Sequence, residues 1–299
     1  MNSREFLIVS LGSILFALSL FAIFPQKTST KILSPLSGNS NQGNTPIIRG
    51  GSLKEVVEKS LLGTKGKYGI VIKNLKNGEA YLKNENEKFE PASLYKLWVL
   101  GTAFKLIKEG KLSKTEVLAR DVKELNEMFQ IDEEETGQTE GTIQMTTSEA
   151  IDRMITASHN YAALLLVSRI RNSTISAFMK EQNFKDSRLG SPPKTSARDM
   201  ALFFEKLYSG SMVDGNRSKE MLELLIRQEL NDRIPKYLPK GIEVAHKTGE
   251  IGGFKHDAGI VFAKDPILIV ILSESNSPKG AAERIAELSR NIYGYFEDK

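Results

Sequence analysis

Ile267-Leu268-Ile269-Val270-Ile271-Leu272-Ser273 is a nearly unbroken aliphatic run. A strand that is apolar on both faces belongs in the middle of a covered sheet. Outward from it, residues 243–247 and 258–263 read as two earlier strands, and about 279–293 as a closing helix. The helical periodicity before these strands ends ahead of Asn231, and the strand pattern begins after Pro235 and Pro239. Near the other end, 52–63 reads as a short amphipathic helix stopped by Gly63. Residues 68–75 are β-branched, Asn77-Gly78 is a strong hairpin turn, and 79–83 returns.

Between these strand groups the spacing is helical. Helices are expected from Ser93 to Gly110, from Thr146 through Ile155, over 161–170, 173–182, 195–208 and 217–229. Thr146-Thr147-Ser148-Glu149 resembles a capping box. Residues 111–145 are polar and give no assignment, and Asp132-Glu133-Glu134-Glu135 reads as a solvated acidic loop. No internal repeat is visible. The order of elements predicts an α+β fold. One antiparallel sheet is formed by the N- and C-terminal segments, beside an all-helical subdomain with a cleft between the lobes.

Residues 1–25 lie outside this unit. From Phe6 to Phe24 the chain is nearly continuously apolar, with Arg4 before it and Pro25 after it. A stretch of about 20 such residues matches the thickness of a bilayer's hydrocarbon core. It reads as an uncleaved signal anchor, with a cleaved signal as the alternative, Ala17-x-Ser19 being the candidate cleavage motif. Residues 26–51 are rich in Ser, Asn, Thr, Gly and Pro and read as a flexible linker. That leaves 52–299 as the folded domain, and flanking charge, Arg4 on one side and Lys27 and Lys31 on the other, does not settle its side of a membrane.

Composition excludes several classes. Formal net charge is +4, with 41 basic against 37 acidic residues, too dispersed for a nucleic-acid partner. Without Cys there is no thiolate nucleophile or thiolate zinc site, and three His make a His-rich metal centre unexpected. No cofactor is implied.

Ser93-Leu94-Tyr95-Lys96 brings a hydroxyl and an amine to one face at a helix start. Ser158-His159-Asn160 interrupts the helical pattern further on, and Lys247-Thr248-Gly249 sits on a strand. In this order the three motifs resemble those of the penicillin-recognising serine acyltransferases, the class A β-lactamases and penicillin-binding D,D-peptidases. Asp232-Arg233-Ile234, Leu238-Pro239 and His256-Asp257-Ala258-Gly259-Ile260 look most like the class A branch. The resemblance implies Ser93 as nucleophile, Lys96 as its base, Ser158 as proton donor to the leaving nitrogen, and Asn160 orienting Lys96. It implies that Lys247 and Thr248 of the Lys247-Thr248-Gly249 motif meet the substrate carboxylate, and that backbone N–H groups of Ser93 and Glu250 form an oxyanion hole. Lys255 is the nearest candidate for a second carboxylate contact, with a solvated turn residue as its alternative reading.

Two departures stand out. His159 replaces the usual Asp of the middle motif. More consequentially, no Glu lies between Glu181 and Glu205, where class A enzymes carry an omega-loop Glu for deacylation, and the loop looks truncated. Three functions follow as expectations: a class A-like hydrolase opening a β-lactam or related amide, a D,D-carboxypeptidase or penicillin-binding protein that deacylates slowly on a peptidoglycan stem peptide, and a non-catalytic cell-wall-binding protein. Because β-lactams and peptidoglycan are met outside the cytoplasm, the resemblance also implies a membrane-anchored domain on the extracytoplasmic face, or a secreted or periplasmic one if the leader is cleaved.

Overall fold

The computed structural model describes residues 51–129 and 139–299. The expected anchor, all but one residue of the linker, and the acidic run 132–135 lie outside them. Among the described residues no helix is long and apolar enough to cross a membrane.

The elements are α1 (Leu53–Ser60), β1 (Lys67–Asn74), β2 (Ala80–Lys83), a 3-10 turn (Ala92–Leu94), α2 (Tyr95–Lys108), β3 (Val117–Asp121), α3 (Val122–Phe129) and β4 (Thr142–Thr146). They continue with α4 (Thr147–Thr156), α5 (Asn160–Ile170), α6 (Asn172–Glu181), α7 (Ala197–Tyr208), α8 (Gly215–Ile226), β5 (Val244–Ile251), β6 (Phe254–Val261), β7 (Ile267–Glu274) and α9 (Pro278–Glu297).

The main sheet runs β2-β1-β7-β6-β5, antiparallel throughout. The aliphatic run is its central strand, buried over seven of eight positions. Period-2 alternation sends Ile70, Ile72, Ile269 and Ile271 to the face covered by α1 and α9. Val71, Leu268, Val270 and Leu272 face the helical lobe. Each fully buried aliphatic side chain contributes about 1.5–3 kcal/mol. β5 is left as an edge strand whose free side meets the 3-10 turn and α8.

Two expectations needed correction. The unassigned stretch 111–145 contains a β3–β4 ribbon and α3. Its strands are mostly exposed or half-buried and about twenty residues apart, so neither alternation nor a turn motif marks them. β6 begins at Phe254, four residues before the expected start, with Lys255, His256 and Asp257 all buried in it. Three polar residues in a row hid the strand. Lys255 is therefore a strand residue and not part of the turn, which is made by Gly252, with φ +51°, and Gly253.

Candidate active site

Ser93 lies in the 3-10 turn and Lys96 in the first turn of α2. Ser93 is half-buried and Lys96 fully buried. Ala92, just before the nucleophile candidate, has φ +46°, a left-handed conformation that costs a non-glycine residue about 1–3 kcal/mol. Surrounding structure holds it there. Leu94 N–H donates to Pro91 O at 3.0 Å, and β5 packs directly against the turn. Gly249 permits that approach, because a Cβ at this position would stand 2.8 Å from Pro91 O and 3.1 Å from Leu94 Cγ.

The middle motif breaks the chain between α4 and α5 through Ser158, at φ +54°. His159 serves a structural purpose. Its Nδ1 accepts from Ala162 N–H at 3.1 Å and caps α5, whose first residue is Asn160. Burial and the charges of Lys96 and Arg153 push the imidazole's pKa down, consistent with a ring nitrogen acting as acceptor.

The three motifs meet at two amines. Lys96 Nζ donates to Ser158 O at 2.5 Å and Asn160 Oδ1 at 2.8 Å, with Ser158 Oγ at 3.2 Å. Lys247 Nζ, also fully buried, donates to Ser158 Oγ at 3.0 Å and Thr248 O at 2.9 Å. Burial, and then the neighbouring Lys247, hold Lys96 well below the usual ammonium range. Lys247 is pushed down to about 7 by burial and by Arg233, with Asp257 opposing. One of these amines can thus be neutral near neutral pH and take a proton, while the other keeps a positive charge.

Sequence reasoning assigned Arg233 no role, yet it stands at the site's edge. Its side chain is 3% exposed. Nη1 donates to His256 O at 3.2 Å and Nη2 to Glu250 Oε2 at 2.7 Å. The Lys255 ammonium is seated on the same Glu250 oxygen. The segment carrying Arg233 is pinned by His246, which bridges Asp257 (2.9 Å) and Asn231 Oδ1 (3.1 Å), and by Ile234 N–H on Asp257 Oδ2 at 3.0 Å. One charged residue in a short, Pro-bounded loop is a weak sequence signal, which is why it was missed. His256 also proves structural: Nε2 donates to Glu90 O at 2.8 Å and Nδ1 accepts from Ser273 N–H at 3.1 Å.

The short loop after α6 is closed by Arg188 and Lys194, which exchange backbone hydrogen bonds of 2.8 and 3.0 Å. Thr195 and Phe89 exchange two more, each 2.9 Å. Glu181, the last Glu before the loop, is exposed and paired with Lys105.

Comparison with known proteins places the fold and the family. The Beta-lactamase enzyme family profile matches residues 52–296. The fold is similar to that of PBP-A, at TM-score 0.71 and 22% identity over 83% of this chain and 96% of that one. A leucine-to-glutamate variant of PBP-A, described as an acyl-enzyme complex with penicillin G, aligns equally well, at TM-score 0.71 and 22% identity over 83% and 96%. A β-lactamase from Sphaerobacter thermophilus aligns at TM-score 0.69 and 19% identity, covering 80% of this chain and 95% of that one. No curated protein matches the chain. With its profile match spanning residues 52–296, the chain belongs to the β-lactamase enzyme family and is a serine β-lactamase-like hydrolase.

Proposed function

We propose that the protein opens β-lactam or closely related amide bonds through an acyl-enzyme on Ser93. The observation carrying this reading is the convergence of two fully buried amines, Lys96 and Lys247, on the Ser158 hydroxyl. A structural domain gains nothing from that placement, because a buried amine carries a desolvation cost. Neutral Lys96 removes the Ser93 proton as Oγ attacks the carbonyl carbon. The developing oxyanion is met by backbone N–H groups of Ser93 and Glu250. Ser158, bonded to both amines, passes a proton to the leaving nitrogen as the amide C–N bond breaks. Asn160 holds Lys96 and offers its amide to the substrate. Lys247, Thr248 and Arg233 receive the substrate carboxylate, with Lys255, which shares a Glu250 oxygen with Arg233, as a further cationic contact.

A second reading is favoured by a specific observation: the chain has no Glu from 182 to 204, and Glu181 is engaged by Lys105. Acylation without a water-activating carboxylate gives a long-lived adduct, the behaviour of a penicillin-binding D,D-peptidase. The penicillin G acyl-enzyme described for the PBP-A variant is consistent with acylation on this fold. With the apolar run at 6–24 as an anchor, the domain would work outside the cytoplasm, where β-lactams and stem peptides are met.

The experiment is to mix the protein with a chromogenic cephalosporin and follow absorbance and intact mass together. Sustained turnover supports the hydrolase. One stoichiometric adduct, absent in Ser93→Ala, supports slow release. A folded protein giving neither overturns both readings for lactams.

A further inference from the structure

We propose that the side chain of Glu250 is a specificity determinant: in the resting enzyme its carboxylate holds the place that a substrate carboxylate would take. This inference rests on the acyl-enzyme reading for what the substrate is, and on the geometry of one charge cluster for the rest.

Arg233 and Lys255 direct their cationic heads at a single oxygen, Glu250 Oε2, with Arg233 Nη2 at 2.7 Å. Their side chains are 3% and 8% exposed, whereas Glu250 is 49% exposed. Two nearly buried cations thus depend on one carboxylate that still reaches solvent. Asp232 adds a second, outer carboxylate, 3.6 Å from Arg233 Nε and itself 54% exposed. Buried cations need an anionic partner, but the identity of that partner is open where it is reached from solvent.

Position makes the partner exchangeable. β5 is the edge strand of the sheet. Thr248 and Glu250 are two residues apart on it, so their side chains leave the same face of the strand. Thr248 is the hydroxyl expected to meet the substrate carboxylate, and Arg233 is close enough to Lys247 to depress its pKa. Glu250 is therefore an anion tethered beside the subsite, bound by the cations a substrate acid would seek. Entry of that acid requires Glu250 to swing outward or to accept a like charge beside it. Either route carries a cost, because the two nearly buried cations lose or must share the carboxylate that pairs them. The consequence is selectivity: substrates that carry the acid are penalised, and neutral acyl donors are not.

The test compares Glu250→Gln with the wild-type protein, using a chromogenic cephalosporin and its carboxylate methyl ester, with acylation of Ser93 read by intact mass. The acid-to-ester ratio of second-order acylation rates should rise about tenfold in Glu250→Gln, the effect of removing one like charge from the subsite. A ratio that is unchanged or falls would overturn the proposal. A second measurement does not depend on acylation. In Glu250→Ala, acetate should raise the melting temperature more than chloride at equal ionic strength, and more than acetate does for the wild type. Acetate would then be replacing the missing carboxylate between Arg233 and Lys255. If neither protein acylates while acetate still stabilises the Ala variant selectively, the anion subsite stands and the lactam reading fails. If acetate has no selective effect, the subsite does not accept an external carboxylate and the proposal fails whatever the acylation result.

Discussion

Lys96 and Lys247 share one acceptor: Ser158 Oγ stands 3.2 Å from the first ammonium nitrogen and 3.0 Å from the second. Two amines so placed oppose each other's protonation, and the charge of Lys247 helps keep Lys96 low. In the proposed mechanism acylation needs Lys96 neutral, so its rate falls as pH drops through the Lys96 pKa. Removing the neighbour's charge raises that pKa. Lys247→Gln should therefore move the acid limb of the acylation rate, measured at saturating substrate, to higher pH. An acid limb that stays where it was would show that Lys247 does not tune the base.

Gly249 is the point where β5 touches the 3-10 turn that carries Ser93. Gly249→Ala puts a methyl group 2.8 Å from Pro91 O, a backbone atom that cannot step aside alone. The turn must shift, which costs about 1–3 kcal/mol of stability. Displacing Ser93 from its attack geometry should slow acylation about 100-fold. Gly252→Ala is the control, since a Cβ there meets open space and only the positive φ, +51°, is strained. Melting temperature and acylation rate separate the two: both fall for Gly249→Ala, and only the melting temperature falls for Gly252→Ala.

The ends of the chain were readable because their physics is local. An all-aliphatic run such as 267–272 has few places to go except a sheet centre, and Asn77-Gly78 fixes its own hairpin. The three motifs whose side chains meet around Ser158 were readable because the residue types are few and their order is informative. What escaped depends on tertiary context. Lys255, His256 and Asp257 look like loop residues, and become buried strand only because Ser273, Glu250 and His246 supply their partners. Arg233 shows the same limit, since nothing near it in sequence reveals that Glu250 and the His256 carbonyl wait for it.

His256 gives a stability signature. Burial pushes its pKa down to about 4, although its bond to the Glu90 carbonyl works in the other direction. An unfolded His titrates near 6.5. Between these values the unfolded chain binds the proton more readily than the folded one, so stability rises with pH. The contribution is complete above pH 6.5 and is lost progressively toward pH 4, amounting to about 3 kcal/mol. Urea midpoints measured across this range should fall for the wild type and fall less for His256→Gln. Parallel curves for the two proteins would assign the acid sensitivity to other groups.

Release of the acyl group is the step for which residues 182–204 offer no Glu, and Glu181 is the nearest Glu in sequence on the N-terminal side of the short loop. The structure places it on α6, exposed and held by Lys105 of α2. A carboxylate held in an exposed ion pair is not positioned to activate a water at Ser93. Glu181→Gln should leave the decay rate of the Ser93 adduct within about twofold of the wild type, and lose no more than about 1 kcal/mol of stability with the Lys105 pair. Decay is followed by intact mass after removal of free lactam. A tenfold slower decay in Glu181→Gln would instead require α6 to move toward the cleft once the acyl group is in place, and would make Glu181 the deacylating residue.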